Sequence, residues 1–261
     1  MFRKSQVTIF VILSVIILAL GTFAILSFNE NQRLMLESGT ATLSSDPRVS
    51  LVHDFVEECL ALEVEEQAYF NQFSGGYYEI PPLFAYDAYL TVPFYVYDNQ
   101  EQIPSIQELE QQLEMAVDDN LEFCINNLEE YEIFFEEINI GAFESKMIIQ
   151  EGSILATLNV PINLLNNETG ESSNIERFQV EVESNFLEYY NLVNEFINLH
   201  NGDFSRIPLS DLNMLVYNNN FKYELKPQNF DVAIYNFMFE EFGKERPAEF
   251  QFAVQYNWRF D

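Results

Sequence analysis

Apolar and polar positions change rhythm along this chain, and the changes divide it into segments. From Val7 to Phe28 no charged residue interrupts the apolar run, with Arg3 and Lys4 before it and Asn29 and Glu30 after it. Its length, at about 1.5 Å per residue, reaches roughly 33 Å as a helix, enough for a hydrocarbon core of about 30 Å. From residue 47 onward the apolar positions Leu51, Val52, Phe55, Val56, Cys59, Leu60, Val64, Ala68 and Phe70 follow helical spacing. Asp46-Pro47 opens this helix as a good N-cap followed by a proline tolerated at the first position. Gly75-Gly76 closes it. A second helix opens at the capping box Ser105-Ile106-Gln107-Glu108 and carries Ile106, Leu109, Leu113, Val117, Leu121, Cys124, Ile125 and Leu128 on its apolar stripe.

Between the two helices, residues 77–98 are aromatic and β-prone but hold three prolines, which predicts edge strands and extended loops. After Tyr131 the alternation becomes period two. Strands are expected at 132–140, 144–151, 153–165 and 174–183, with a polar turn from Asn166 to Ser173. A third helix is expected from Asn185 to Leu199. A short helical piece at 209–215 then precedes strands at 221–226, 229–239 and 248–258. Three main helices with mostly hairpin-linked strands predict an α+β fold on a mostly antiparallel sheet. The expected organisation is an N-terminal transmembrane anchor (1–28), a linker or stalk (29–46) and an exported domain (47–261), whose period change marks 131 as the place where two subdomains would divide.

The N-terminal run is read as a retained anchor. A cleaved signal peptide has a shorter h-region of about 7–15 residues and a small-x-small cleavage site, and a buried soluble helix is the other alternative. Arg3 and Lys4 lie close before it, against Arg33 alone in the stalk that follows, so the positive-inside rule leaves Met1 to Ser5 in the cytoplasm and exports the rest. The expected location is the cell membrane, single-pass, with the C-terminal domain extracellular.

Charge sharpens that picture. The chain has 42 acidic and 12 basic residues, a net charge of −30, and with Arg3 and Lys4 on the cytoplasmic side the exported part carries −32. Such a surface repels nucleic acid, whose binding needs Lys and Arg against phosphates, and favours solubility and cationic partners. A plain solvated acidic face explains the same charge without any partner. Apolar residues make up 48 %, with 25 Phe and 14 Tyr, enough to build a core.

Two resemblances bear on family. Arg3-Lys4-Ser5-Gln6-Val7-Thr8 resembles an archaeal class III, type IV pilin-like signal, which implies cleavage between Ser5 and Gln6 with the apolar helix kept. Phe10 stands where many pilins carry Glu. Further on, Phe55-Val56-Glu57-Glu58-Cys59-Leu60, Gly75-Gly76-Tyr77-Tyr78, Pro81, Pro93-Phe94-Tyr95-Val96-Tyr97, Pro104 to Leu109, Asn120-Leu121 and Cys124 are similar to a pattern in archaeal single-pass membrane-anchored exported proteins. This resemblance implies an exported, anchored domain and brings no substrate, cofactor or catalytic residue with it.

The candidate chemistry is sparse. Cys59 and Cys124, the only cysteines, each sit on the apolar face of a helix, and an exported domain is a setting for a disulfide between them. Two separate buried thiols are the alternative. His53 lies six residues before Cys59, poorly placed for a Cys–His pair, and His200 has no placement from sequence. Asp118-Asp119-Asn120 and Asn201-Gly202-Asp203 offer oxygen ligands suited to calcium, but neither forms an EF-hand loop. Adjacent glutamates such as Glu57-Glu58, Glu129-Glu130 and Glu136-Glu137 do not face one another on a helix. Asn167-Glu168-Thr169 is an N-glycosylation sequon in a polar turn. Tyr77 to Tyr97 supplies either core packing or a recognition surface. No cofactor is expected. The expectation is a non-catalytic cell-surface protein with a structural, adhesion or contact role, held in the membrane through residues 7–28 and facing envelope or surface partners. A pilin-like filament subunit and an exported hydrolase are the alternatives.

Overall fold

The computed structural model describes residues 46–258, apart from 88, 89, 242 and 245. The apolar run 7–28, the stalk 29–45 and the Ser5/Gln6 junction lie outside the described residues. Among the described residues no helix is long and apolar enough to cross a membrane.

Helix α1 (Pro47–Phe73) begins where Asp46 caps it: the Asp46 carboxylate accepts from the Arg48 backbone N–H, and Pro47 occupies the first turn. Its buried positions, among them Val52, Val56, Leu60 and Val64, recur at helical spacing. Strands β1 (Phe84–Asp87), β2 (Leu90–Tyr97) and β3 (Gln100–Glu101) follow. Helix α2 (Ile106–Ile125) carries the reciprocal capping box, Ser105 Oγ accepting from the Glu108 N–H while the Glu108 carboxylate accepts from the Ser105 N–H. The pairing holds the Glu108 carboxyl below its ordinary range. A 3₁₀ stretch (Asn126–Ile133) then leads into β4 (Phe135–Ile140), β5 (Glu144–Gln150), β6 (Ser153–Asn166) and β7 (Ser172–Glu183). Helices α3 (Phe186–Asn198) and α4 (Leu209–Asn219) precede β8 (Lys222–Pro227), β9 (Val232–Phe239) and β10 (Ala248–Gln255).

The strands form two sheets. In one, β6 is central, with β7 along one side and β4 and β5 end to end along the other, all antiparallel. In the other the order is β1-β2-β10-β9-β8, with β3 on β2. The fold is thus α+β and rich in antiparallel pairs, as expected, with one parallel pair, β2 with β10. Helix α1 packs against α2 and against strands of both sheets, β6 and β7 in one and β10 in the other. The main core is continuous across these contacts and unites residues on both sides of 131. Its densest part is aromatic: Phe196 of α3 lies 5.7 Å from Phe237 and 6.0 Å from Phe252, and Tyr189 stacks on Phe239 at 3.8 Å.

Two expectations are corrected here. First, β2 is not an edge strand. Its first half pairs with β1 up to Pro93, and its pairing with β10 starts at Phe94. Pro93 therefore sits where the strand changes partners, so its missing N–H breaks no β10 pairing. Second, residues 132 and 133 belong to the 3₁₀ stretch and the strand starts at Phe135.

Although β1 and β8 lie at opposite ends of the strand order, Lys226 donates to Asp87 at 2.8 Å, and β1 also touches β9. The β1–β2 hairpin therefore curls over the second sheet and encloses a small separate core of Ala85, Val92, Phe94, Val232, Ile234 and Ala253. This explains why β9 and β10 are buried at nearly every position rather than at every second one.

The Gly75-Gly76 bend after α1 is set by close approach as well as by conformation. Gly76 has φ +81°, and a Cβ there would lie 2.2 Å from Cδ2 of the buried Leu109. Gly152, at the β5–β6 turn, has φ +79° with open space around it. Gly152→Ala should therefore cost only the backbone penalty of about 1 kcal/mol, and Gly76→Ala at least about 2 kcal/mol more because Leu109 must move. Chemical denaturation of the two variants checks this; equal losses would show that the α1–α2 contact is loose.

Candidate functional site

The bend after α1 does more than end a helix. The Ser74 N–H bonds the Asn71 carbonyl and the Gly76 N–H the same oxygen, so the chain reverses tightly. Tyr95 donates its hydroxyl to the Gly75 carbonyl at 2.8 Å. The backbone N–H groups of Tyr78 and Glu79 then donate to Gln112 Oε1 on α2, at 2.9 and 2.8 Å, and the Tyr78 hydroxyl donates to Asp119 at 2.9 Å. The loop is pinned across α2 and closes one end of a cleft between the two helices.

This α1–α2 cleft has a volume of about 410 Å³. Helix α1 contributes Glu63, Glu66, Gln67, Phe70 and Asn71, the loop Ser74, Tyr77 and Tyr78, and α2 Asn120 and Phe123. Among the described residues no basic side chain lines it. Phe70 is 52 % and Phe123 76 % exposed, unusual for phenylalanine. Burial pushes the Tyr77 hydroxyl up to about 12. Gln67 donates to Glu63 at 3.2 Å. Asn71 is only 2 % exposed, and its Nδ2 has no acceptor among the described residues.

The disulfide joins the two helices that form this cleft, and its Cys124 lines a second, adjoining cleft. Cys59 and Cys124 are joined with Cα atoms 5.8 Å apart, as expected from their place on the two apolar faces. Glu63 stands one turn beyond Cys59, and Phe123 directly precedes Cys124. The cross-link therefore fixes the spacing of the helices that form the cleft. Closing 65 residues of chain contributes about 4 kcal/mol in the chain-entropy account.

The second cleft, of about 710 Å³, adjoins the first along α1 and shares Glu63, Glu66 and Phe70 with it. Its charge is mixed: Glu65 is ion-paired with Lys244, and Arg246 lies on its wall with Glu183 and Glu241. Gln72, 4 % exposed, lines it with an Oε1 that finds no donor among the described residues.

The remaining sequence candidates have other surroundings. His200 is buried at the end of α3. Its Nδ1 lies 3.2 and 3.1 Å from the Phe196 and Ile197 carbonyls, so that nitrogen carries the proton, and Nε2 accepts from the Tyr256 hydroxyl at 3.1 Å. Burial lowers its pKa, which favours the neutral ring. His53 Nδ1 lies 3.6 Å from Glu57 and 3.8 Å from Asp54, and its ring rests 5.1 Å from Phe178. Ligand atoms of these three residues fall within 4.8 Å of one another, the one such group among the described residues. Sequence reading set His53 against Cys59 and missed Glu57, although i,i+4 is the spacing that brings helical side chains together. Neither histidine lines either cleft. Asn167 is exposed in the β6–β7 turn, where its Nδ2 donates to the Ile133 carbonyl.

The calcium candidates Asp118 and Asp119 prove to have separate tasks. Asp119 accepts from Tyr78, whereas Asp118 belongs to a row on α2. Glu110, Glu114 and Asp118, four residues apart, accept the backbone N–H groups of Ile149, Met147 and Ser145 at 3.0, 3.1 and 3.0 Å. These N–H groups form the outer edge of β5, which would otherwise invite another strand. The spacing was visible in sequence, but its partner strand was not.

No protein-family model, curated protein or solved structure matches this chain.

The carboxylate row gives a signed expectation. Burial raises the Glu110 and Asp118 carboxyls above their ordinary ranges. A raised acid binds its proton more tightly folded than unfolded, so its charged form costs stability as pH rises through the folded pKa. Glu110→Gln keeps an acceptor and removes the charge. It should match or exceed the parent in stability at pH 7, with any gain vanishing below the ordinary value of 4.5. Glu110→Ala leaves the Ile149 N–H without its acceptor and should cost about 1–3 kcal/mol at either pH. Urea melts at pH 7 and pH 4 separate the two; a loss in Glu110→Gln equal to that in Glu110→Ala would contradict the account.

Proposed function

We propose that this protein is a cell-surface contact protein, anchored in the membrane by residues 7–28 with its acidic α+β domain outside, and that the α1–α2 cleft and its aromatic rim are its contact surface. The role is structural or adhesive rather than catalytic, and the partner is a cationic envelope or surface protein. The observation that carries this reading is the pairing of strongly exposed Phe70 and Phe123 with the carboxylates Glu63 and Glu66 on two disulfide-tied helices. Exposed aromatic side chains on rigid elements are characteristic of interfaces. The disulfide fits an oxidising compartment outside the cell, and the exposed sequon at Asn167 fits the same side of the membrane. The resemblance to archaeal anchored exported proteins belongs to this proposal and points the same way.

The test uses cells displaying the full chain. Protease added outside should remove the residues beyond about 45. Polylysine-coated beads should adhere to these cells and polyglutamate-coated beads should not, with adhesion falling as salt is raised because the attraction is screened. Complete protection from protease overturns the outward topology, and equal adhesion to both beads overturns the cationic partner.

A further inference from the structure

We propose that the α1–α2 cleft receives a single arginine side chain carried on an extended segment of a basic partner protein. This inference deepens the contact reading and rests on it. Three features of the cleft select the occupant. Glu63 and Glu66 stand one turn apart on α1; both also border the second cleft, where Lys244 and Arg246 lie, but among the described residues neither is in an ion pair and no basic side chain lines the first cleft. Their charge is left for a ligand to neutralise, in a chain whose overall −30 already draws cations.

The rings of Phe70, Tyr77, Tyr78 and Phe123 narrow the choice of cation. A small hydrated metal ion gains from oxygen ligands and loses by facing phenyl rings. A guanidinium gains from both, because it stacks on aromatic faces and pairs with carboxylates through a planar fork of donors. It is also less strongly hydrated than the lysine ammonium, so entry into a half-enclosed aromatic site costs it less.

Asn71 is the independent sign that the occupant brings more than a charge. It lines the cleft, is 2 % exposed, and its Nδ2 has no acceptor among the described residues. A buried amide left unpaired is costly, and a bound group with a carbonyl would satisfy it once the side chain turns toward the cleft. A peptide supplies a side-chain cation and a neighbouring carbonyl together. The volume of about 410 Å³ lies at the low end for ligand sites, suited to one long side chain and adjoining peptide units rather than to a helix or folded domain. Both walls are helical and joined at Cys59–Cys124, so the site is formed before the ligand arrives.

The test uses the full chain in nonionic detergent with a fluorescein-labelled nine-residue peptide bearing three spaced arginines in a Gly/Ser host, read by anisotropy. Matched peptides carry lysine or citrulline at the same places; citrulline keeps the shape and removes the charge. The arginine peptide should bind about tenfold more tightly than the citrulline peptide and several-fold more tightly than the lysine one. The E63Q/E66Q double variant should lose about tenfold. Phe123→Ala, at a side chain already exposed and hence without a folding role, should lose several-fold at unchanged melting temperature. Equal binding of arginine and citrulline peptides, or full arginine binding in E63Q/E66Q, overturns the pocket. So does displacement of the arginine peptide by soluble phosphocholine, which would assign the cage to a quaternary ammonium. On displaying cells, polylysine-bead adhesion that falls in E63Q/E66Q while the arginine and citrulline peptides bind alike leaves the contact reading standing and removes this inference alone, whereas failure of the parent chain to adhere removes the contact reading itself.

Discussion

The structure depends on one helix being satisfied on several sides at once. Helix α1 packs against α2, against β6 and β7 of one sheet, and against β10 of the other. Remove it, and the two sheets share far less apolar contact. Because so much of its surface is covered, only a strip remains for solvent, and that strip carries Glu63, Glu66 and Phe70. The neighbouring α2 is tied to it in three ways: by the disulfide, by the Gln112 and Asp119 bonds to the loop after α1, and by the fit of Gly76 against Leu109. The cleft between the helices is thus a consequence of how the core is assembled.

The acidity of the chain, which a composition would assign to solvent, does several kinds of structural work. Glu108 closes the capping box of α2 and Asp46 caps α1. Glu110, Glu114 and Asp118 cover the β5 edge. Asp87 holds the curled β1–β2 hairpin to β8 through Lys226. Each of these carboxylates answers a backbone donor or a cation. Glu66 lines both clefts and is in no ion pair among the described residues, which sets it apart as charge available to a partner.

Much of the fold could be read from sequence because its signals are local. Asp46-Pro47 and Ser105-x-x-Glu108 mark helix starts by chemistry within one turn, and the alternation through 144–183 marks strands whose partners are their neighbours. The parallel pairing of β2 with β10 joins segments more than 150 residues apart, as the bond from the Asp98 N–H to Gln255 illustrates, and no local rhythm encodes it. The same blindness made β2 look like an edge, since Pro93 is visible in sequence but the change of partner beside it is not. The site was legible only in part. The cysteine pair followed from two apolar faces and an exported setting. The cleft did not, because Phe70 and Phe123 sit among helical apolar residues and nothing local shows that they point outward.

The central claim is that the tied pair of helices makes the contact surface. The most direct measurement compares the affinity of the arginine peptide for the oxidised chain with that for the Cys59→Ala/Cys124→Ala chain, at a temperature where circular dichroism shows both folded. If the cross-link holds Phe123 and Glu66 at the spacing the ligand needs, the variant binds about tenfold more weakly with its helix content intact. Equal affinity in the two chains would contradict the account, because the cleft would then form without the tie that is said to build it.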